Sequence, residues 1–342
     1  MLIQKKSYSE LFLNYLVNLA SLWFHTRRFR PLITNYYVTK RCNLKCRYCY
    51  PPGDEAELDT PSAISLLEKI RPHNSALNFT GGEPLLYKDI QLLIRKAKVL
   101  RYYPIILSTN GLLIDKIIDD LHLVDHLIIS LDSLTQEIND QLSGVRGTTN
   151  KIIDNIKRCA FLAGEKRFQL TLHAVIAPET IEGIEDIISF CESLEITLSL
   201  SPEHGRFYPH SELKNNSQYI RLIDRLIEMK KGGRPIACSF GYLRTIRDFT
   251  PHKCYPFFSP RVEPDGRVYF PCQRIRKRHV YLQDYDSLHR LMQKEAEQNF
   301  FEECSRRCFL ACYVEIEQYV RNPLSLLKEL PIRQWILGQK MY

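Results

Sequence analysis

The sequence predicts an α/β fold of parallel strands followed by a smaller cysteine-rich region. Three observations predict it. Between residues 32 and 200, six short β-type runs alternate with helical patterns, the order that builds βα units with right-handed crossovers. The residues that carry chemistry recur just past the ends of those runs, where sites assemble in parallel βα architectures. The composition, 44% hydrophobic and 25% charged over 342 residues, is that of a globular chain long enough for one large domain and a smaller one.

Taken in order, residues 8–26 read as a helix, because Leu11, Phe12, Tyr15, Leu16, Leu19, Leu22 and Trp23 recur at helical spacing. Lys5 and Lys6 before an apolar stretch suit a signal peptide, but Asn14 and Asn18 interrupt it and no small-residue cleavage site follows. Strands are expected at Leu32–Thr39, Leu77–Thr80, Ile105–Ser108, Leu127–Leu131, Gln169–Ile176 and Ile196–Leu200. Helices are expected at Thr60–Ile70, with Thr60 as N-cap and Pro61 in the first turn, and at Lys88–Leu100. Further helices are expected at Ile114–Leu121, from about Thr135, and at Asn150–Ala163, Ile181–Leu194 and Asn215–Lys231. Gly232-Gly233-Arg234-Pro235 then breaks the pattern. Phe257–Val262 and Arg267–Phe270 flank Glu263-Pro264-Asp265-Gly266, a β-hairpin with an Asp-Gly turn. A polar linker, helices from Asp284 and a second amphipathic stretch, Pro323–Tyr342, complete the chain. The expected divisions are 1–31 (N-terminal helix and linker), 32–235 (βα core), 236–322 (cysteine-rich domain) and 323–342 (tail).

The net charge of +8 is spread over the chain, so a solvated basic surface explains most of it and nucleic acid is not an expected partner. No apolar run reaches the ~20 residues that span a bilayer. Eleven cysteines is a high count. A disulfide-stapled secreted domain would be small and loop-rich, so reduced cysteines and a cytoplasmic location are expected.

Cys42, Cys46 and Cys49 stand at a CxxxCxxC spacing just past the first strand. Three cysteines leave one over in a disulfide framework, and a zinc site lacks a nearby fourth ligand. A [4Fe–4S] cluster held by three thiolates keeps one iron open to a small molecule. Arg41, Lys45 and Arg47 are expected to favour the thiolates. The loop is followed in order by Gly81-Gly82-Glu83-Pro84, Ser108-Thr109-Asn110-Gly111, Ser130-Leu131-Asp132 and Arg146.

In that spacing, with Tyr48 before the last cysteine, and in that serial order, the chain resembles the radical S-adenosylmethionine (radical SAM) enzymes. The resemblance implies a partial (β/α)6 TIM-like barrel, a [4Fe–4S] cluster on Cys42, Cys46 and Cys49, and S-adenosylmethionine on the open iron. It further implies that the Tyr48 backbone meets the adenine and that Gly81 and Gly82 let a strand end approach the methionine part. Glu83 would accept from the cofactor's ammonium, Ser108, Asn110, Ser130 and Asp132 suit the ribose and its neighbours, and Arg146 suits the carboxylate. Taken singly, each motif has a plainer reading as a turn, a cap or a surface pair.

Cys254, Gly266, Cys272, Cys308 and Cys312 resemble the twitch or SPASM extension of the same enzymes, which holds auxiliary [4Fe–4S] clusters. One auxiliary cluster is expected; Cys304 competes with Cys308 and Cys312 for a place, and a four-thiolate zinc site is the rival. Glu203 and His204, in the loop past the sixth strand, are the expected catalytic or substrate-contacting residues; Arg206 in that loop and His173 on the fifth strand are further candidates. The expected partners are a small-molecule or lipid substrate and a flavodoxin- or ferredoxin-type reductant. A peptide-modifying enzyme and a non-catalytic iron–sulfur or zinc scaffold are the alternatives. The apolar, basic-flanked termini are expected first to pack on the barrel itself, closing an end or covering a strand edge, with a peripheral contact with a membrane surface as the alternative.

Overall fold

The computed structural model describes residues 2–26, 28–49, 56–205, 208–297 and 308–323. Among them, nine strands form one sheet in the order β6-β5-β4-β3-β2-β1-β7-β8-β9. β1 (Ile33–Thr39), β2 (Ala76–Gly81), β3 (Ile105–Thr109), β4 (His126–Ser130), β5 (Gln169–Ile176) and β6 (Thr197–Pro202) are all parallel. β6 does not return to β1, so the barrel stays open. The two faces of this sheet differ. Tyr36, Val38, Leu77, Phe79, Leu107, Ile129, Leu172 and Leu198 alternate onto the outer face and are fully buried beneath the crossover helices. The inner face carries Asn35, Asn78, Ser108, Ser130, Thr171, His173, Thr197, Ser199 and Ser201.

The helices follow their expected apolar periods, with differences at the ends. α1 is Leu2–Trp23 and α2 is Thr60–Ile70. The N-cap of α2 is Asp59, which accepts from Ser62 N at 2.9 Å, while the Thr60 hydroxyl donates to Asp89. A carboxylate one residue earlier meets the free amides better than the hydroxyl would. α3 is Ile90–Val99, α4 Gln136–Ser143, α5 Thr149–Lys166, α6 Ile184–Ser193 and α7 Ser217–Lys231. The helix expected at Ile114–Leu121 is two short 3₁₀ turns, Ile114–Ile117 and Leu121–Leu123.

Beyond α7 the structure adds elements that pattern alone does not reveal. α8 (Phe240–Arg247) is capped by Ser239, accepting from Tyr242 N, and buries Tyr242, Leu243 and Ile246. Its eight residues are too few to show a period. β7 (Arg261–Val262) is shorter than expected, because Pro256–Phe258 forms a 3₁₀ turn. It pairs in parallel with β1, and antiparallel β8 (Arg267–Phe270) and β9 (Arg278–Tyr281) follow. The cysteine-rich region therefore continues the barrel's own sheet. β9 lies in what reads as polar linker; it is a half-exposed edge strand with charged side chains, the composition edges favour. α9 is Leu288–Ala296 and α10 Ala311–Arg321. The tail from residue 324 lies outside the described residues.

Candidate active site

The loop after β1 crosses the mouth of the half-barrel and is fastened at almost every strand end. Leu44 anchors it in the core, with Cys42 and Cys46 packed against that core and Cys49 exposed. On the β2 side, Glu83 N donates to Arg41 O at 2.7 Å and Gly82 N to Thr39 O at 2.9 Å. A Cβ on Gly82 would overlap the Arg41 carbonyl. These glycines thus let β2 close on the chain's own cysteine loop. Past β3, Asn110 Nδ2 donates to Asn43 Oδ1 at 2.7 Å. Past β4, the Tyr48 hydroxyl donates to Asp132. The C-terminal end of α4 receives Lys45 N and Arg47 N on Ser143 O and Leu142 O. Gly144, at φ +68°, leaves space there that a Cβ would take, 2.6 Å from Lys45 O. No sequence signal beyond a helix-ending glycine marks it.

The loop's two arginines are already spent on acids. Arg41 forks onto Glu57 at 2.8 and 2.9 Å, and Arg47 onto Glu179 at 2.7 and 2.8 Å with Glu203 at 2.8 Å. The Cys49 residue is exposed but its sulfur is partly enclosed, which raises the thiol, and the charges that oppose the rise are Arg261 and Arg274. Burial pushes the Cys46 thiol up to about 12. The expectation that positive charge beside the cysteines favours the thiolates is corrected for Arg41 and Arg47: a guanidinium forked on carboxylates has little field left to offer. Buried Glu263 holds Lys40 at 2.8 Å and Arg261, whose guanidinium stacks 3.4 Å over the Tyr37 ring.

Glu83 is fully buried and accepts from Leu85 N at 3.0 Å, Thr109 Oγ1 at 2.7 Å and Asn110 N at 2.8 Å. Burial raises its pKa and these bonds oppose the rise. A carboxylate has about four acceptor positions, so one stays open. Asp132 accepts from Tyr48 and, at 2.8 Å, from Val175 N; burial raises it to about 6. Ser108 donates to Asn78 at 3.0 Å on the inner wall, where Ser130 also sits. Arg146 is exposed on the turn between α4 and α5 and has no hydrogen-bond partner among the described residues.

Glu203 and His204 are held tightly. Glu203 is the buried counter-ion of Arg47. His204 donates from Nδ1 to Pro202 O at 2.8 Å and accepts at Nε2 from Phe309 N at 2.9 Å, and burial lowers it to about 4. Both ring nitrogens are committed, so this geometry gives His204 a structural part, tying the β6 exit to the residue after Cys308. His173 is likewise bonded to Ser199 and Ser201, at 2.8 and 3.1 Å. Arg206 lies outside the described residues.

A second set of thiols gathers from three segments: Cys254 after α8, Cys272 after β8, and Cys308 and Cys312 at the start of α10. Cys254 and Cys308 pack together with Tyr313. Burial raises the Cys254 thiol, and the proximity of Cys308, Cys272 and Cys312 raises it further. Cys304 lies outside the described residues. Cys238 is separate, with its thiol against Leu200 on β6. Among the described residues, no three His, Cys, Asp or Glu side chains stand close enough to hold a single metal ion.

The opening loop fits a three-thiolate iron–sulfur centre in its donors: Leu44 N donates to Cys42 Sγ at 3.4 Å, and the three thiols feel one another's charge. A sequence model of the radical SAM superfamily matches residues 36–191. A protein of Methanococcus aeolicus named "Probable GTP 3′,8-cyclase" is 30% identical over 217 residues, 60% of this chain and 69% of that protein. The chain belongs to the radical SAM superfamily. It is a radical SAM enzyme, and its family's cofactors are S-adenosylmethionine and a [4Fe–4S] cluster. The fold agrees with two solved structures. One is SuiB of Streptococcus suis bound to S-adenosylmethionine, with TM-score 0.63 and 18% identity over 81% of this chain and 67% of that one. The other is anSMEcpe with S-adenosylmethionine and a peptide, with TM-score 0.60 and 20% identity over 90% of this chain and 98% of that one.

Proposed function

We propose that this radical SAM enzyme acts on a small polar substrate lying on the inner wall of the half-barrel, and that Cys254, Cys272, Cys308 and Cys312 hold an auxiliary [4Fe–4S] cluster. The observation that carries the substrate class is the wall itself. Its side chains include Asn35, Asn78, Ser108, Ser130, Thr171, His173, Thr197, Ser199 and Ser201, so hydrogen-bonding groups outnumber the apolar Tyr37, Ile106, Ile128 and Val175 of the same face. Such a wall suits a hydroxylated or heterocyclic molecule and would leave polar groups dry against an acyl chain. The name of the relative from Methanococcus aeolicus, a cyclase of a purine nucleotide, supports a small-molecule substrate.

In this reading Cys42, Cys46 and Cys49 ligate the first cluster. With S-adenosylmethionine bound there, such a centre would supply the family's one-electron reductive cleavage of the sulfonium, the source of hydrogen abstraction from a substrate carbon. Glu83 offers its remaining acceptor position to the cofactor's ammonium, and Arg146 meets the carboxylate. Gly81 and Gly82 keep β2 against the loop, Tyr48 and Asp132 hold its far end, and Asn110, Ser108 and Ser130 line the approach. Glu203 and His204 act as positioning residues for Arg47 and for the second thiol set. The mutual proximity of these four thiols supports one shared metal centre there, and the family's iron–sulfur chemistry favours a cluster. The reductant is a flavodoxin or ferredoxin.

The test is anaerobic incubation of reconstituted protein with S-adenosylmethionine, reductant and fractionated deuterated metabolites. Deuterium in 5′-deoxyadenosine with a polar fraction supports the reading; deuterium only with lipid or peptide fractions overturns the substrate class.

A further inference from the structure

α1 is built inside out. Its buried side carries Asn14, Tyr15, Asn18 and Ser21. Asn14 Nδ2 donates to His73 O at 2.7 Å, and Asn18 exchanges two 2.8 Å bonds with the Arg30 backbone. The Tyr15 hydroxyl donates to Tyr319 O at 2.7 Å, and Glu10 pairs with Arg71 at 2.9 Å. The opposite side carries Phe12, Leu13, Leu16, Ala20, Trp23 and then Phe24, all exposed. At 100° per residue these six fall within an arc of about 120°. Trp23 is 82% exposed, Phe24 74% and Phe12 50%. A surface helix ordinarily turns its polar side to water. This one holds its polar side against the barrel by specific hydrogen bonds and offers water a stripe of aromatic and leucine side chains, the mark of an interaction surface.

Charge points to the partner. In the sequence Lys5 and Lys6 precede the apolar stretch and Arg27 and Arg28 follow it, and the chain carries +8 overall. Apolar and tryptophan side chains on one face, with basic residues at both ends, is the composition of a helix lying in a lipid headgroup layer. The placement on the fold adds direction. His73 and Arg30, which receive the helix, precede β2 and β1, so α1 lies at the N-terminal end of the strands. Cys42, Cys46 and Cys49 follow the other end, about one strand length away, roughly 20 Å.

We propose that α1 docks the enzyme on an anionic membrane surface, apolar stripe down, with the cysteine end of the barrel turned to water. No helix among the described residues is long and apolar enough to cross a membrane, so the contact is peripheral. Docking at the far end of the strands also separates membrane contact from substrate: an enzyme held this way draws its substrate from water.

The experiment is flotation of the full chain with phosphatidylcholine vesicles, with and without phosphatidylglycerol, at low and high salt. The protein floats with the anionic vesicles at low salt and far less with the neutral ones. The double variant Leu13→Ser/Trp23→Ser loses binding at least about tenfold. Its iron content and 5′-deoxyadenosine formation stay unchanged, since both side chains face solvent away from the cysteines. Failure of the full chain to float with anionic vesicles overturns the proposal, as does equal flotation of the double variant. A dimer in light scattering that the double variant abolishes, without flotation, assigns the stripe to a second copy and also overturns it.

Discussion

The Tyr48 hydroxyl donates to the buried Asp132 carboxylate, whose other oxygen takes the Val175 amide. One carboxylate thus links the cysteine loop after β1, the exit of β4 and the end of β5. Asp132→Ala leaves two buried donors without a partner and should cost about 1–3 kcal/mol of stability. Tyr48→Phe should cost a similar amount. Because the two side chains share one bond, the double variant should cost about 0.5–3 kcal/mol less than the sum. Urea unfolding of all four proteins measures this, and strict additivity would mean that the bond contributes nothing.

Gly144 and Gly147 form a matched pair. Both have left-handed backbone, φ +68° and +75°, but a Cβ meets Lys45 O at 2.6 Å in the first and nothing within 4 Å in the second. Gly147→Ala should cost only the backbone preference, about 1–2 kcal/mol. Gly144→Ala should in addition push the loop off α4 and weaken iron binding at Cys42, Cys46 and Cys49. Iron analysis after reconstitution should therefore show a loss in Gly144→Ala and not in Gly147→Ala. An equal loss in both would refute the steric account.

Iron counts test the two thiol sets. Reconstituted protein should hold about eight irons, four per cluster. Replacing Cys42, Cys46 and Cys49 with Ala should leave about four and abolish 5′-deoxyadenosine formation. Cys304→Ala should keep about eight, since Cys254, Cys272, Cys308 and Cys312 already complete a ligand set. Zinc in place of the second four irons would favour a structural metal site, and cleavage retained by the triple variant would sink the first assignment.

Acid should destabilise this protein through its buried histidines. Burial lowers His126, His173 and His204 from 6.5 to about 4. Between those values the unfolded chain takes up protons that the folded one refuses, so stability is full above pH 6.5 and falls as pH drops toward 4. Each contributes a slope of up to about 1.4 kcal/mol per pH unit. Urea midpoints at pH 7.5, 6 and 5 should fall in that order, and His173→Asn should flatten the fall. A midpoint independent of pH over that range would count against it.

Much of the fold was legible in the sequence, because the signals are local. A βα unit declares itself within a dozen residues, and the CxxxCxxC, Gly-Gly-Glu-Pro and Ser-Thr-Asn-Gly runs lie at strand ends that periodicity alone locates. Cys254, Cys272, Cys308 and Cys312 lie on three separate segments, and it was the family resemblance, not a local signal, that grouped them. α8 and β9 were not legible: eight residues and a charged edge strand are too short and too polar to show a period.

What only the tertiary structure decided is who meets whom. Arg47 reads as a cation for the cysteines, yet Glu203, 156 residues on, takes its charge. His204 reads as a loop histidine free for chemistry, yet Phe309, 105 residues on, closes its ring. Asn14 and Asn18 read as interruptions of an apolar helix, yet they are its docking face. In each case the sequence carries a side chain's character, while its partner lies far along the chain. A hydrogen bond or ion pair at 3 Å is set by the packing of whole elements, which no local pattern encodes.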